Sequence, residues 1–94
     1  MARYRLDRAR WLRNGWLLII YRTTGRMRRR MVRPGEPVAV AEAALALGTY
    51  RGLMYRLRDA GRLRVEKGTG SVPWRELIRL RREWRGKRAT TVGA

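Results

Sequence analysis

Arginine is the residue type through which this chain can do chemistry. The 94 residues include 24 Lys and Arg against 7 Asp and Glu, a formal net charge of +17. All of these cations except Lys67 and Lys87 are arginines. A guanidinium group matches phosphate with paired hydrogen bonds and stacks on flat rings. Self-repulsion at this charge density disfavours a compact isolated domain, so the composition predicts a polyanionic partner, and nucleic acid is the first to consider.

The clearest spacing of such residues lies between positions 51 and 62. Arg51, Tyr55, Arg58 and Arg62 recur at i, i+4, i+7 and i+11, which places them on one face of a helix. The opposite face is apolar and predicts packing against a preceding helix. The competing interpretation is an ordinary solvated helix face, which would normally carry acidic residues as well. Asp59 is the only acid on this helix, so binding is favoured.

Three other groups of residues are candidate contacts to phosphate. A basic segment contributes Arg26, Arg28, Arg29, Arg30 and Arg33. A strand and the turn after it contribute Arg62, Arg64, Lys67 and Thr69. The two ends of the chain contribute Arg3, Arg5, Arg8, Arg10, Lys87 and Arg88.

Several aromatic residues have two open interpretations. Tyr4, Trp11 and Tyr55 lie among arginines, and such rings either stack on unpaired bases or pack in the core. Trp16, Trp74 and Trp84 fit apolar stripes and are predicted to pack.

The composition argues against catalysis and against a metal site. The chain has no Cys and no His, and its seven acids are scattered, each near an Arg or Lys. We therefore expect no enzymatic activity, no cofactor and no small-molecule substrate. The longest apolar run, residues 16–21, is far below the roughly 20 residues that span a bilayer, so we expect no membrane partner. We expect a cytoplasmic location, with which the absence of Cys is compatible.

The first third of the chain allows two arrangements. Residues 8–22 can form a helix with an apolar stripe of Trp11, Gly15, Leu18 and Ile19, and this helix is favoured. The alternative is a strand at 16–22, a turn at 23–25 and a second strand at 26–33. With the helix, residues 23–37 become a basic loop, because they contain two Pro and two Gly.

The rest of the chain predicts a regular series of elements. A β-like entry at 38–40 leads into a helix that Gly48 ends. Thr49 is the expected N-cap of a second helix, which Gly61 ends. A strand at 62–67 and a turn at 68–71 precede a C-terminal helix at 73–85.

Residues 38–70 carry a resemblance to a known family. The segments VAVAEAALALG (38–48) and YRLRDAGRLRVEKG (55–68) resemble the winged helix-turn-helix family. The resemblance implies a mostly α fold with a small β wing, in a single domain over 8–85. That domain would comprise the basic loop 23–37, a helix-turn-helix 38–61, a wing 62–72 and the helix 73–85, between basic tails 1–7 and 86–94. The second helix is roughly one turn shorter than is usual in the family, which implies a shallower reach into a DNA groove.

Two functions follow from charge and resemblance together. The basic residues are spread through the central domain, the loops and both tails. This distribution favours the interpretation that the chain is a small structural ribosomal protein that binds rRNA and contacts neighbouring ribosomal proteins. The alternative is a DNA-binding protein of the winged helix-turn-helix type, either a transcription regulator or an architectural or packaging protein.

Overall fold

The N-terminal third of the chain forms an antiparallel sheet, and the helices follow it. The computed structural model describes the backbone of residues 3–92 and the side chains of residues 3–85. In chain order the elements are β1 (Arg5–Trp11), β2 (Leu17–Thr23), β3 (Arg26–Val32), β4 (Val38–Ala39), α1 (Val40–Ala46), α2 (Arg51–Asp59), β5 (Ser71–Val72) and α3 (Trp74–Val92). Strands β1, β2 and β3 pair in that order, and β4 pairs with β5 in a separate two-stranded sheet.

Strand β2 lies at the centre of the larger sheet, between β1 and β3, and its side chains alternate between two environments. Leu17 and Ile19 are fully buried, whereas Leu18 and Ile20 are partly exposed on the other face. The chain reverses at Gly15 and again at Gly25, which have φ values of 87° and 72°. Only glycine adopts this left-handed region readily, so these two residues permit the tight connections on either side of β2.

A β-bulge at Asp7 keeps β1 in register with the core. Leu6 lies opposite Tyr21 and Arg8 lies opposite Ile20, so Asp7 is the extra residue in β1. Without the bulge, a period of two would move Ala9 and Trp11 to the other face. With it, both pack against the core together with Leu6.

The core lies between the inner face of this sheet and the helices. Helix α1 packs against β1, and α2 packs against α1. The buried apolar side chains come from every layer: Leu17, Ile19, Val32, Val38, Val40, Ala43, Ala44, Leu47, Met54, Leu63, Val72, Leu77 and Leu80.

Glycine ends α1 and α2 in the same way, as the sequence predicts. Gly48 has a φ of 72°, and its N–H donates to the Leu45 carbonyl while the Thr49 N–H donates to the Ala44 carbonyl. This is the Schellman arrangement, and Gly61 repeats it after α2. The predicted N-cap of the second helix is wrong, because Tyr50 and not Thr49 occupies that position.

The predicted mostly α, winged helix-turn-helix-like fold is wrong. The chain is a small α+β domain whose N-terminal third is a three-stranded antiparallel sheet. The helix predicted over 8–22 is absent, and the alternative pair of strands is correct. Alternation of buried and exposed residues through Leu17–Thr23, with glycine turns at both ends, stabilises strands over a helix.

Other boundaries also differ from the prediction. The segment 23–37, predicted as a loop, contains β3, and β1 begins within the predicted tail 1–7. In place of a strand at 62–67 there is one bridge between Glu66 and Ser71. The helix predicted at 73–85 is confirmed as α3, which continues through residues 86–92 of the predicted C-terminal tail.

A pair of neighbouring substitutions distinguishes strand from helix in residues 16–22. We expect Ile19→Ala to lower the free energy of unfolding by about 2–5 kcal/mol, because its side chain is fully buried. Leu18→Ala, on the opposite and partly exposed face, should cost well under half as much. Urea denaturation measures both. Equal losses would fit the helical stripe, which contains both residues, and would contradict the strand.

Candidate nucleic-acid interface

Strand β3 has its polarity reversed relative to an ordinary edge strand. Arg28 lies opposite Tyr21 and Arg30 lies opposite Ile19, so both guanidinium groups stand on the inner side of the sheet. Met27 and Met31 stand on the outer side and are 45% and 43% exposed. The strand therefore places two cations on the side that faces the helices, next to the buried Val32, and two methionines with Arg29 between them on the side that faces solvent.

The outer sheet face combines apolar side chains with arginines. Cross-strand pairing aligns its members in three rows. They are Leu18, Ile20, Met27 and Met31, called the apolar patch, and the five arginines that lie beside and among them, Arg5, Arg8, Arg10, Arg22 and Arg29. Four of the predicted contact residues, Arg5, Arg8, Arg10 and Arg29, are thus brought together on one surface.

Asp7 is the acid associated with this face. The Arg22 Nε donates to its Oδ2 at 2.7 Å, and the Arg8 Nε lies 3.5 Å from the same oxygen. The Arg22 hydrogen bond is the main reason that the pKa of Asp7 lies below its ordinary value. One carboxylate cannot balance all five arginines, so the face remains strongly positive.

Helix α2 presents a second basic face, as the spacing of its residues predicts. Arg51, Tyr55 and Arg58 are exposed, and the Arg58 guanidinium lies over the Tyr55 ring at 4.9 Å. Met54 on the opposite face is fully buried. Arg62 lies beyond the end of the helix, so the regular face extends only to Arg58. Arg51, Tyr55, Arg58 and Arg62 together are called the α2 face below.

A turn near residue 69 exposes the polar side chains that were predicted for a wing, but the predicted strand is not formed. Arg64 lies 3.6 Å from Glu66, and Lys67 and Thr69 are exposed. The hydroxyls of Thr69 and Ser71 are hydrogen-bonded at 2.8 Å. The Gly70 carbonyl accepts a hydrogen bond from the Val40 N–H, which fixes the turn against the start of α1.

The remaining predicted contacts do not join these surfaces. Arg26 is exposed at the start of β3, and Arg3 is exposed before β1. Arg33 follows β3, and its guanidinium lies 5.5 Å from the centre of the Trp16 ring. Lys87 and Arg88 lie outside the residues whose side chains the structure describes.

Trp11 packs against other side chains of the protein. Its Nε1 donates to the Ala46 carbonyl at 3.0 Å, and its ring meets Trp74 edge-on at a centroid distance of 5.6 Å. Arg81 of α3 lies over the same ring at 4.1 Å, and burial there lowers the pKa of that guanidinium from its ordinary value. These contacts position α3 against the end of α1 and leave Trp11 poorly placed to stack on a base.

The sequence did not indicate the role of Glu42, whose buried carboxylate connects the sheet to the start of α1. It is 3% exposed, and its carboxylate accepts hydrogen bonds from the Tyr21 hydroxyl, the Arg30 Nε at 3.2 Å and the Ala39 N–H at 3.2 Å. A Glu at the third position of a helix is a known capping signal. That signal indicates the contact with Ala39 but not the burial, which depends on the sheet.

Most guanidinium groups on these surfaces lack an acidic partner. Among the described side chains, Arg5, Arg10, Arg29, Arg51 and Arg62 form no ion pair. These groups are available to an external anion, and the pairs that do form at the surface contribute little to stability.

Comparison of the chain with protein-family models, with curated proteins and with solved structures finds no match. The described part of the chain holds no cluster of three potential metal ligands among His, Cys, Asp and Glu. It also contains no helix with the length and apolarity needed to cross a bilayer.

The Tyr21–Glu42 contact predicts a loss of stability at high pH. Burial, and then the hydrogen bond to Glu42, raise the pKa of Tyr21 from 10.0 to about 12. A raised pKa means that folding favours the protonated phenol. This stabilisation is complete below pH 10 and is lost as the pH rises to about 12.

Urea denaturation between pH 9 and 12 checks this expectation. Wild-type stability should fall across the upper part of that range, and Tyr21→Phe should lack this fall. Tyr55→Phe is the matched control at an exposed position and should behave as wild type. An identical pH dependence for wild type and Tyr21→Phe would refute the role of this phenol.

Proposed function

We propose that the protein binds nucleic acid without catalysing a reaction, as a structural component of a ribonucleoprotein, with ribosomal RNA as the first candidate. The observation that carries this proposal is the division of unpaired arginines between two surfaces. The outer sheet face belongs to the sheet on which α1 packs, and the α2 face belongs to a helix that packs on α1, so the two surfaces lie on separate elements of the fold. A cytoplasmic location is part of the same proposal.

A folded RNA suits this distribution better than a single straight duplex. It offers phosphates on several sides of a small protein, so both surfaces can be neutralised in one complex. Arginine is suited to each contact, since its guanidinium group pairs with phosphate and also stacks on bases. Most of these arginines would position the protein on the backbone without reading sequence.

The apolar patch on the outer sheet face is consistent with a crowded ribonucleoprotein. Apolar side chains such as Leu18, Ile20, Met27 and Met31 make no favourable contact with phosphate, whereas their burial against a neighbouring protein is favourable. We propose that neighbouring ribosomal proteins contact this patch while the surrounding arginines contact RNA.

Duplex DNA is the second candidate, and the α2 face favours it. A B-DNA major groove about 12 Å wide admits an α-helix. Arg51, Tyr55 and Arg58 stand exposed along one side of α2, and Lys67 and Thr69 of the following turn are exposed as well. Under this alternative the α2 face carries most of the affinity and the outer sheet face carries little.

The salt dependence of binding tests whether phosphate contacts dominate. If roughly 6–10 phosphates are contacted, affinity should fall about 10³–10⁵-fold between 50 and 200 mM salt. Fluorescence anisotropy with a structured rRNA fragment and with a DNA duplex of equal charge measures this. A flat salt response would refute binding through phosphate for either nucleic acid.

Charge-matched double variants separate the two candidates. Arg51→Ala plus Arg58→Ala alters the α2 face, and Arg10→Ala plus Arg29→Ala alters the outer sheet face. Arg75→Ala plus Arg82→Ala removes the same charge from exposed positions on α3 and is the control. Arg79 is unsuitable as a control, because its guanidinium donates hydrogen bonds to Glu76, Glu83 and the Arg62 carbonyl, and its removal would break these contacts within the fold.

Under the RNA proposal, both surface variants should weaken RNA binding by about tenfold or more relative to the control. Under the DNA candidate, only the α2 variant should weaken duplex binding. Equal and small losses for all three variants would contradict both, since neither surface would then have a privileged role.

A further inference from the structure

A cleft separates the inner side of β3 from the turn near residue 69. Its volume is about 640 Å³, and its lining includes Tyr4, Tyr21, Arg28, Arg30, Thr69 and Ser71. This volume lies within the range of about 300–1,000 Å³ that is typical of small-ligand sites. The reversed polarity of β3 creates the cleft, because Arg28 and Arg30 occupy inner positions where an ordinary strand would carry core residues.

The two arginines of the cleft differ in their electrostatic state. The Arg30 Nε donates to the buried Glu42 carboxylate at 3.2 Å, so its charge is neutralised internally and its side chain is fixed. Arg28 has no ion pair among the described residues, and its guanidinium lies over the Tyr4 ring at 5.1 Å. One cation is therefore left for an anionic group of a ligand, beside an aromatic ring.

The other walls provide aromatic and hydroxyl groups. The Tyr21 hydroxyl is held by Glu42, which fixes the ring in the wall. Thr69 and Ser71 place their hydroxyls on the opposite side. An aromatic platform, one available guanidinium group and nearby hydroxyls are the groups that bind an unstacked base, its phosphate and its sugar.

We propose that this cleft binds a single unpaired nucleotide of the bound nucleic acid. The base takes the place of the Arg28 guanidinium over the Tyr4 ring, the released guanidinium pairs with the phosphate, and the sugar lies near the hydroxyls of Thr69 and Ser71. A phosphate alone is a poorer ligand, because the buried Glu42 already neutralises the second guanidinium. This inference rests on the proposed function. It adds that the protein prefers nucleic acid with bulged or looped nucleotides.

Two RNA hairpins that differ by one bulged nucleotide test the proposal. Fluorescence anisotropy should show that wild type binds the bulged hairpin about tenfold more tightly than the fully paired one, the effect of stacking one base. Tyr4→Ala plus Arg28→Ala should reduce this ratio to about one. Both side chains are exposed, so the variant should fold, and its far-UV circular dichroism checks this.

The control is Tyr50→Ala plus Arg75→Ala, which removes an exposed tyrosine and an exposed arginine outside the cleft. Its ratio of affinities should remain that of wild type, whatever its absolute affinity. Equal wild-type affinity for the two hairpins, or a ratio unchanged in the cleft variant, would overturn the cleft proposal and leave the proposed function intact. Failure of wild type to bind either hairpin at low salt would instead overturn the proposed function and the cleft proposal with it.

Discussion

The buried carboxylate of Glu42 is the interaction on which the arrangement of the sheet and helices depends. It joins Tyr21 of β2, Arg30 of β3 and the N–H of Ala39 at the start of α1. A buried charge is tolerated only when hydrogen bonds and an opposite charge compensate its desolvation, and these three donors do so. The same contacts fix the edge strand β3 relative to α1 and hold the guanidinium group of Arg30 against the buried carboxylate, although the Arg30 side chain is still 42% exposed. Without them, the inner side of β3 would present two uncompensated cations to the helices.

This constraint explains how so basic a chain can fold and still display its charge. The few acids are used inside or between elements, as at Glu42 and in the network of Arg79 with Glu76 and Glu83. Hydrogen bonding by Arg79 lowers the pKa of Glu76, and Glu76 in turn raises the pKa of Arg79. Several of the other arginines form no ion pair among the described side chains, and their mutual repulsion favours any state that brings phosphate among them: Arg5, Arg10, Arg29, Arg51 and Arg62.

Local signals predicted the second half of the chain better than the first. Gly48 and Gly61 mark helix ends because only a residue tolerant of positive φ closes them in this way, and that requirement is readable from sequence. The stretch 16–21 is apolar throughout, so helix and strand both satisfied its pattern, and the choice depended on pairing with β1 and β3. The bulge at Asp7 and the reversed polarity of β3 are tertiary features without a local signal. The spacing of Arg51, Tyr55 and Arg58 predicted the α2 face, whereas the outer sheet face and the cleft required the sheet register.

Ultraviolet crosslinking in cells, followed by sequencing of the attached nucleic acid and mapping of the crosslinked residues, tests the central claim most directly. That claim is that one small domain contacts structured RNA through two surfaces, the outer sheet face and the α2 face. The account predicts recovery of structured RNA, with crosslinks both near Tyr4 beside the sheet and near Tyr55 on the α2 face. Recovery of no nucleic acid above background, or of DNA alone with crosslinks confined to the α2 face, would contradict it.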